Sequence, residues 1–206
     1  MKRVTPGNLR IGSNVVELLL PQQRPFLMVD FVDSFLQSPR PTLVAGRHIS
    51  ANEHYFDGHF PGMHVWPGTL TIEGLGQTSA LLMATLEMCR SAEREGMPAD
   101  DVLGALRNLD MGFRLHAGHR PKDAAALLER IRNQPPWLAI GASIEMKLLR
   151  PVFAGQRLDY RSELVGEVGN MMKFEVEASV DSVAVAAGTL TGARVDWSPA
   201  LAAARP

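Results

Sequence analysis

The spacing of apolar positions changes several times along the chain, and each change marks an element. Residues 14–20 form a short apolar run that Pro21 stops, which predicts a short helix. Residues 26–35 and 42–49 are rich in β-branched and aromatic side chains with partial alternation, and predict two strands about the turn Gln37-Ser38-Pro39-Arg40-Pro41. Residues 51–68 hold Asn52, Asp57, Gly58, Pro61, Gly62, Pro67 and Gly68, a density of breakers that predicts a shaped loop. From Thr69 to about Arg90 there is no proline, and Leu70, Glu73, Leu75, Gln77, Leu81, Leu82, Ala84 and Leu86 suit a helix. Its first half is apolar on nearly every side around a single acid, so it is read as buried.

Beyond it, Pro98-Ala99-Asp100-Asp101 and Pro121-Lys122-Asp123 each carry a helix-start signal, predicting helices over 100–113 and 121–132. Residues 137–149, 156–168, 171–180 and 183–195 read as strands, the last of them joined by the short turns Gly169-Asn170 and Asp181-Ser182 into an antiparallel meander. A buried helix followed by a meander long enough to wrap it is an α+β arrangement of two layers, the hotdog. One domain is expected over 1–198, with 96–136 a two-helix insertion and 199–206 a flexible tail.

Composition narrows the partners. The 206 residues are 46% hydrophobic and 21% charged with a net charge of -1, so no strong field exists to hold nucleic acid or an anionic membrane surface. No segment approaches the roughly 20 apolar residues of a membrane span, and no signal-peptide pattern follows the basic first residues. Cys89 is the single cysteine. Disulfides within the chain are thereby excluded, and a reducing, cytoplasmic setting is expected.

The chemistry-bearing residues gather in 58–77. His59 sits between Gly58 and Phe60-Pro61-Gly62, on backbone with little freedom, and an imidazole that titrates near neutrality suits abstraction of a proton next to a thioester carbonyl. A structural histidine donating to a loop carbonyl is the other reading. Glu73 lies one turn into the helix among Leu70, Ile72 and Leu75, where a carboxyl carries a desolvation cost unless it is protonated or hydrogen-bonded, the condition of a general acid. It reads equally as a solvent-facing acid at a helix start. Pro67-Gly68 at that start leaves main-chain amides that suit a thioester oxygen, or simply begin a helix.

Gly58-His59-Phe60-Pro61-Gly62, then Pro67-Gly68, then Glu73 and Gln77, resembles the signature of the Z-type 3-hydroxyacyl-acyl-carrier-protein dehydratases of fatty-acid synthesis. Leu20-Pro21 with Pro25-Phe26-Leu27-Met28-Val29-Asp30 is similar to that family's N-terminal strand, and Arg150-Pro151-Val152 with Ala154-Gly155 to its Arg-Pro-Val turn. The resemblance covers most of residues 15–95 and 137–195. It implies a hydro-lyase that takes water from a 3-hydroxyacyl thioester, with His59 as base and Glu73 of the other subunit as acid, in a homodimer or a dimer-based higher oligomer. It also implies that Phe60, Gly62, Gly68 and Gln77 contact or support the substrate, with backbone amides at Gly68 and near Gly62 on the carbonyl and Gln77 behind the glutamate. The thioester would ride on the phosphopantetheine of an acyl carrier protein or on coenzyme A, with no metal or redox cofactor.

This chain departs from the pattern at Thr69, Gly74 and Gly76, which replace apolar or alanine positions, and at His64, where proline is common. Two glycines inside a helix cost roughly 1 kcal/mol each relative to alanine, which close packing or a wider tunnel could offset. Residues 96–136 are the larger departure. Arg107, Arg114, Arg120, Lys122, Arg130 and Arg132 give them a basic bias, suited to an acidic carrier domain or to a plain solvated face, and their deletion is expected to leave a foldable dimer. A hotdog thioesterase and a non-catalytic partner subunit are the competing functions.

Overall fold

Alternation is strictest near the C-terminal end, and there it builds the wide part of a sheet. The computed structural model describes residues 7–115 and 138–195. In chain order its elements are β1 (Gly7–Ile11), α1 (Ser13–Leu19), β2 (Phe31–Leu36), β3 (Thr42–His48), a 3-10 turn (His54–Asp57), α2 (Gly68–Arg94), α3 (Ala99–Leu115), β4 (Leu138–Leu148), β5 (Arg157–Val168), β6 (Met171–Val180) and β7 (Val183–Val195). In β6, Met172, Phe174, Val176 and Ala178 are buried while Met171, Lys173 and Glu175 are exposed. β5 does the same, with Leu158, Tyr160, Ser162 and Leu164 turned inward. Such period-two burial is what one covered face and one wet face require.

The seven strands form one antiparallel sheet in the order β1-β2-β3-β5-β6-β7-β4. β5, β6 and β7 follow one another as hairpins, and β4 joins beyond β7 as the far edge. The 27 residues of α2 lie across the covered face, with Leu75, Leu81, Leu82 and Leu86 at most 1% exposed. A sheet wrapped around one long buried helix is the hotdog that the apolar pattern predicts.

Three readings change. Residues 26–30 are not strand, because their backbone groups find side-chain partners: Gln77 takes Phe26 O and Met28 N, and Arg47 takes Leu27 O. β1 has no counterpart in the sequence reading, being only five residues long with a register shift against β2 between Asn8 and Ile11. The third concerns α3, which packs into the core. Val102, Leu106 and Leu109 are at most 5% exposed, and Asp110 accepts a 2.7 Å hydrogen bond from Gly12 N at the start of α1. Burying one such apolar side chain contributes about 1.5–3 kcal/mol, so the three together rival a large part of the roughly 5–15 kcal/mol that holds a domain folded. Deleting 96–136 would remove this packing, so a loss of stability is the expected cost. The expected helix over 121–132, the basic residues Arg120, Lys122, Arg130 and Arg132, and the expected tail from 199 lie outside the described residues. No helix among the described residues is long and apolar enough to cross a membrane.

Candidate active site

His59 follows the 3-10 turn, and its loop is tied down from several sides. Its amide donates to Tyr55 O at 3.0 Å, its carbonyl accepts from Val65 N at 3.2 Å, and Phe60 and Met63 exchange backbone hydrogen bonds of 2.9 Å around Pro61-Gly62. Gly62 has φ +80°, a conformation that only glycine adopts without strain. Beneath the loop, buried Trp66 donates its amide to Val152 O at 2.8 Å, and Val65 bridges to Phe153, so the Arg-Pro-Val turn is the wall on which the loop rests. Arg47, over the Trp66 ring at 5.1 Å, donates to Glu53 Oε1 and Leu27 O, each at 2.7 Å, and holds the start of the loop.

The structural reading of His59 is seen at one ring nitrogen. Nδ1–H donates to Val65 O at 2.8 Å. A carbonyl can only accept, so the neutral ring carries its proton on Nδ1 and Nε2 is left with a lone pair. The structural hydrogen bond thus leaves Nε2 able to accept a proton. The half-buried ring stacks on Phe60, with centroids 4.1 Å apart, and lines a cavity of about 380 Å³ with Gly68, Thr71, Leu148, Pro151 and Val152. Gly68 is the first residue of α2, and its amide precedes the first intrahelical bond. A methyl on Gly68 would come within 2.5 Å of the Leu148 side chain, which would have to turn aside to admit it. Gly62 is exposed on the loop and does not line that cavity.

Glu73 is half-buried and faces a different space, a groove between α2 and the β4–β7–β6 side of the sheet. Gln77, one turn on and 1% exposed, fixes it: Gln77 Nε2 donates to Glu73 Oε1 at 2.9 Å and to Phe26 O at 2.7 Å, while Oε1 accepts from Met28 N at 2.7 Å. Every hydrogen-bonding position of that amide group facing the protein is used, which leaves Glu73 one tethered and one open oxygen. Within one chain, then, His59 and Glu73 line separate spaces. Among the described residues no cluster of three or more His, Cys, Asp or Glu is spaced to hold a metal. Cys89 is no nucleophile, since burial first, and the charges of Glu93 and Asp100 after it, push its thiol up to about 12.

Residues 20–104 match the FabA-like domain family. The 3-hydroxyacyl-[acyl-carrier-protein] dehydratase FabZ of Polynucleobacter necessarius subsp. necessarius is 43% identical over 84 residues, 41% of this chain and about half (55%) of that relative's length. The FabZ of Thioalkalivibrio sulfidiphilus is 30% identical over 171 residues, 83% of this chain and 88% of the relative. The chain belongs to the FabZ family. Among solved structures, the dehydratase heterocomplex ApeI:P from Xenorhabdus doucetiae superposes with a TM-score of 0.53 at 13% identity, covering 99% of this chain and 100% of that one, which bears on the fold alone.

In this FabZ-family chain the two helix glycines have different causes. A methyl on Gly74 would collide with the ring and hydroxyl of Tyr160, which is fully buried in β5, so close packing accounts for it. A methyl on Gly76 would meet nothing within 4 Å. Four contributors to the site carry no signal of it in the sequence. Val65 acts through its carbonyl and leaves no side-chain signal. Met28 and Phe26 act through backbone and were absorbed into a presumed strand. Leu148 was read only as strand, although its place just before Arg150-Pro151-Val152 puts it beside the same turn.

Proposed function

We propose that this chain eliminates water from 3-hydroxyacyl thioesters, with His59 of one protomer and Glu73 of its partner at each site. The observation that carries the reading is the fixed tautomer of His59, which presents a bare Nε2 to a cavity that the first amide of α2 also lines. Nε2 takes the C2 proton while the thioester carbonyl, held at the Gly68 amide, accepts the developing negative charge. The C2–H electrons form the C2–C3 double bond, the C3–O bond breaks, and the Glu73 carboxyl gives the departing hydroxyl the proton that makes it water. A proton relayed from the imidazolium to the carboxylate resets the pair. These steps call on neither metal nor redox cofactor.

Two features support a shared site. The His59 cavity touches β4 at Leu148, whereas the Glu73 groove touches it at Gly141, Ser143 and Ile144. β4 is an open edge, with Ile144 59%, Leu148 57% and Leu149 47% exposed. Two copies pairing antiparallel through β4 about a two-fold axis set the Leu148 end of one beside the Gly141 end of the other, and so bring His59 toward the partner's groove. The acyl group would arrive on the phosphopantetheine of an acyl carrier protein, in the cytoplasm.

The test uses two inactive variants. His59→Ala and Glu73→Ala should each lose about 10²- to 10⁴-fold in kcat for hydration of crotonyl thioester, with the dimer intact. Mixing them should restore activity, because one site of each mixed dimer regains both groups. Homodimers that mix without recovery refute the shared site; full activity in His59→Ala refutes the mechanism. Thiol release in place of hydration would make the chain a thioesterase.

A further inference from the structure

Helix α2 offers the groove a row of positions on successive turns: Glu73, then Gly76, Ala80 and Met83, with Phe174 and Leu190 of the sheet opposite. At a rise of about 1.5 Å per residue these three lie roughly 5, 10 and 15 Å beyond the acid. The groove has a volume of about 180 Å³, and Glu73 is the only charged residue in its lining among the described residues. Ser79, which also lines it, has its hydroxyl engaged, with Leu75 O at 2.9 Å and Ser162 Oγ at 2.8 Å. On the floor, Gly141 of β4 stands opposite Gly192 of β7 in the strand register, and both line the space.

Gly76 is the unexplained member. It lies inside a helix, where glycine is unfavourable, yet no turn, positive φ or close neighbour requires it. Gly74, two residues earlier, shows what a packing cause looks like, since Tyr160 fills the place of its side chain. Beside Gly76 the place of the side chain is open groove. We propose that Gly76 is a specificity-determining residue, whose missing side chain admits the distal carbons of an uncharged hydrocarbon acyl chain along α2 toward Met83. This rests on Glu73 acting at C3, as proposed above, which sets the start of the chain at the mouth of the groove. A short acyl group ends before Gly76 and a long one must pass it.

The experiment compares wild type, Gly76→Ala and Gly76→Leu on crotonyl and dodecenoyl thioesters, and measures displacement of a fluorescent long-chain fatty acid from each. In Gly76→Leu the ratio of kcat/KM for the long substrate to that for the short one should fall at least about tenfold, and the probe should bind correspondingly more weakly. Gly76→Ala should move both quantities the same way by less, and it guards against failure of the leucine variant to fold. An unchanged ratio and unchanged probe binding in the folded variants overturn the proposal. Wild type inert toward every thioester would instead overturn the dehydratase reading, and the probe would still report on the groove.

Discussion

Replacing Gln77 by leucine tests whether the helix amide only fills space or also aims Glu73. The volume is nearly kept, but three hydrogen bonds of 2.7, 2.7 and 2.9 Å are lost. Met28 is fully buried, so its amide is left as a donor with no acceptor, while Phe26, half exposed, can turn its carbonyl to water. Stranding a buried donor costs about 1–3 kcal/mol, and each ordinary hydrogen bond lost adds roughly 0.5–1.5 kcal/mol. A total of about 2–6 kcal/mol lowers the melting temperature of a chain this size by roughly 4–24 °C. Turnover measured well below that temperature should fall about tenfold to a hundredfold, because an acid released from its tether spends less time in line with the leaving oxygen. Gln77→Glu separates tether from filler. An ionised carboxylate there can neither donate to Phe26 O nor sit comfortably beside Glu73, whereas a protonated one can donate, so the folded state raises the new acid's pKa. The variant should then be least impaired below about pH 4.3, the unfolded value, and lose stability as pH rises from there to the raised folded value. Thermal melts and initial rates across pH give the answer. If Gln77→Leu stays within about 2 °C and twofold of wild type, the amide does not hold Glu73 and the argument from its hydrogen bonds fails.

Two further outcomes rest on packing and charge. Gly74→Ala should destabilise the fold by about 1–3 kcal/mol despite better helix propensity, and Tyr160→Leu in the same chain should relieve most of that cost; additive losses in the double-mutant cycle would show that the two positions do not clash. Burial pushes the Glu163 carboxyl up, but hydrogen bonds and charge from Arg40, at 2.9 Å, and from Arg161 push it down further, so its folded pKa lies below the ordinary value. Its contribution is therefore present above about pH 4.3 and fades as pH falls through the folded pKa. The stability gap between wild type and Glu163→Gln should be open at neutrality and closed in acid, and a gap independent of pH would remove the ion pairs from the account.

What could be read from the chain alone followed from how each residue acts. α2 was legible because Leu75, Leu81, Leu82 and Leu86 recur without a proline, and β5 to β7 because their alternation and turn residues agree. Gly58-His59-Phe60-Pro61-Gly62 and Glu73 were legible as unusual chemistry in a loop and in an apolar helix. β1 hid in five residues whose only signal is Leu9 and Ile11 alternating with Asn8 and Arg10. Residues 26–30 misled because apolar side chains there serve the core while their backbone serves Gln77 and Arg47, a division that side-chain pattern cannot register. The tie from Val65 O to His59 is likewise written in main chain. Gly74 and Gly76 look alike as letters, and only their surroundings in space, a tyrosine ring against one and open groove against the other, give them different causes.

The two ends of the sheet are unequal in a way that governs how copies can accumulate. β4 offers eleven residues of open edge, whereas β1 offers five, broken by a register shift and by Arg10 at φ 52°, with α3 packed against it. Once two copies have joined through β4, the outward rim of the pair is a β1 at each side, too short and too irregular to template a third. Further growth of such a pair by strand addition is thereby disfavoured. The separated chain leaves the β4 edge and the exposed Ile144 uncovered, so a charge placed at Ile144 should weaken pairing through that edge and at the same time guard the separated chain against non-specific edge-to-edge association.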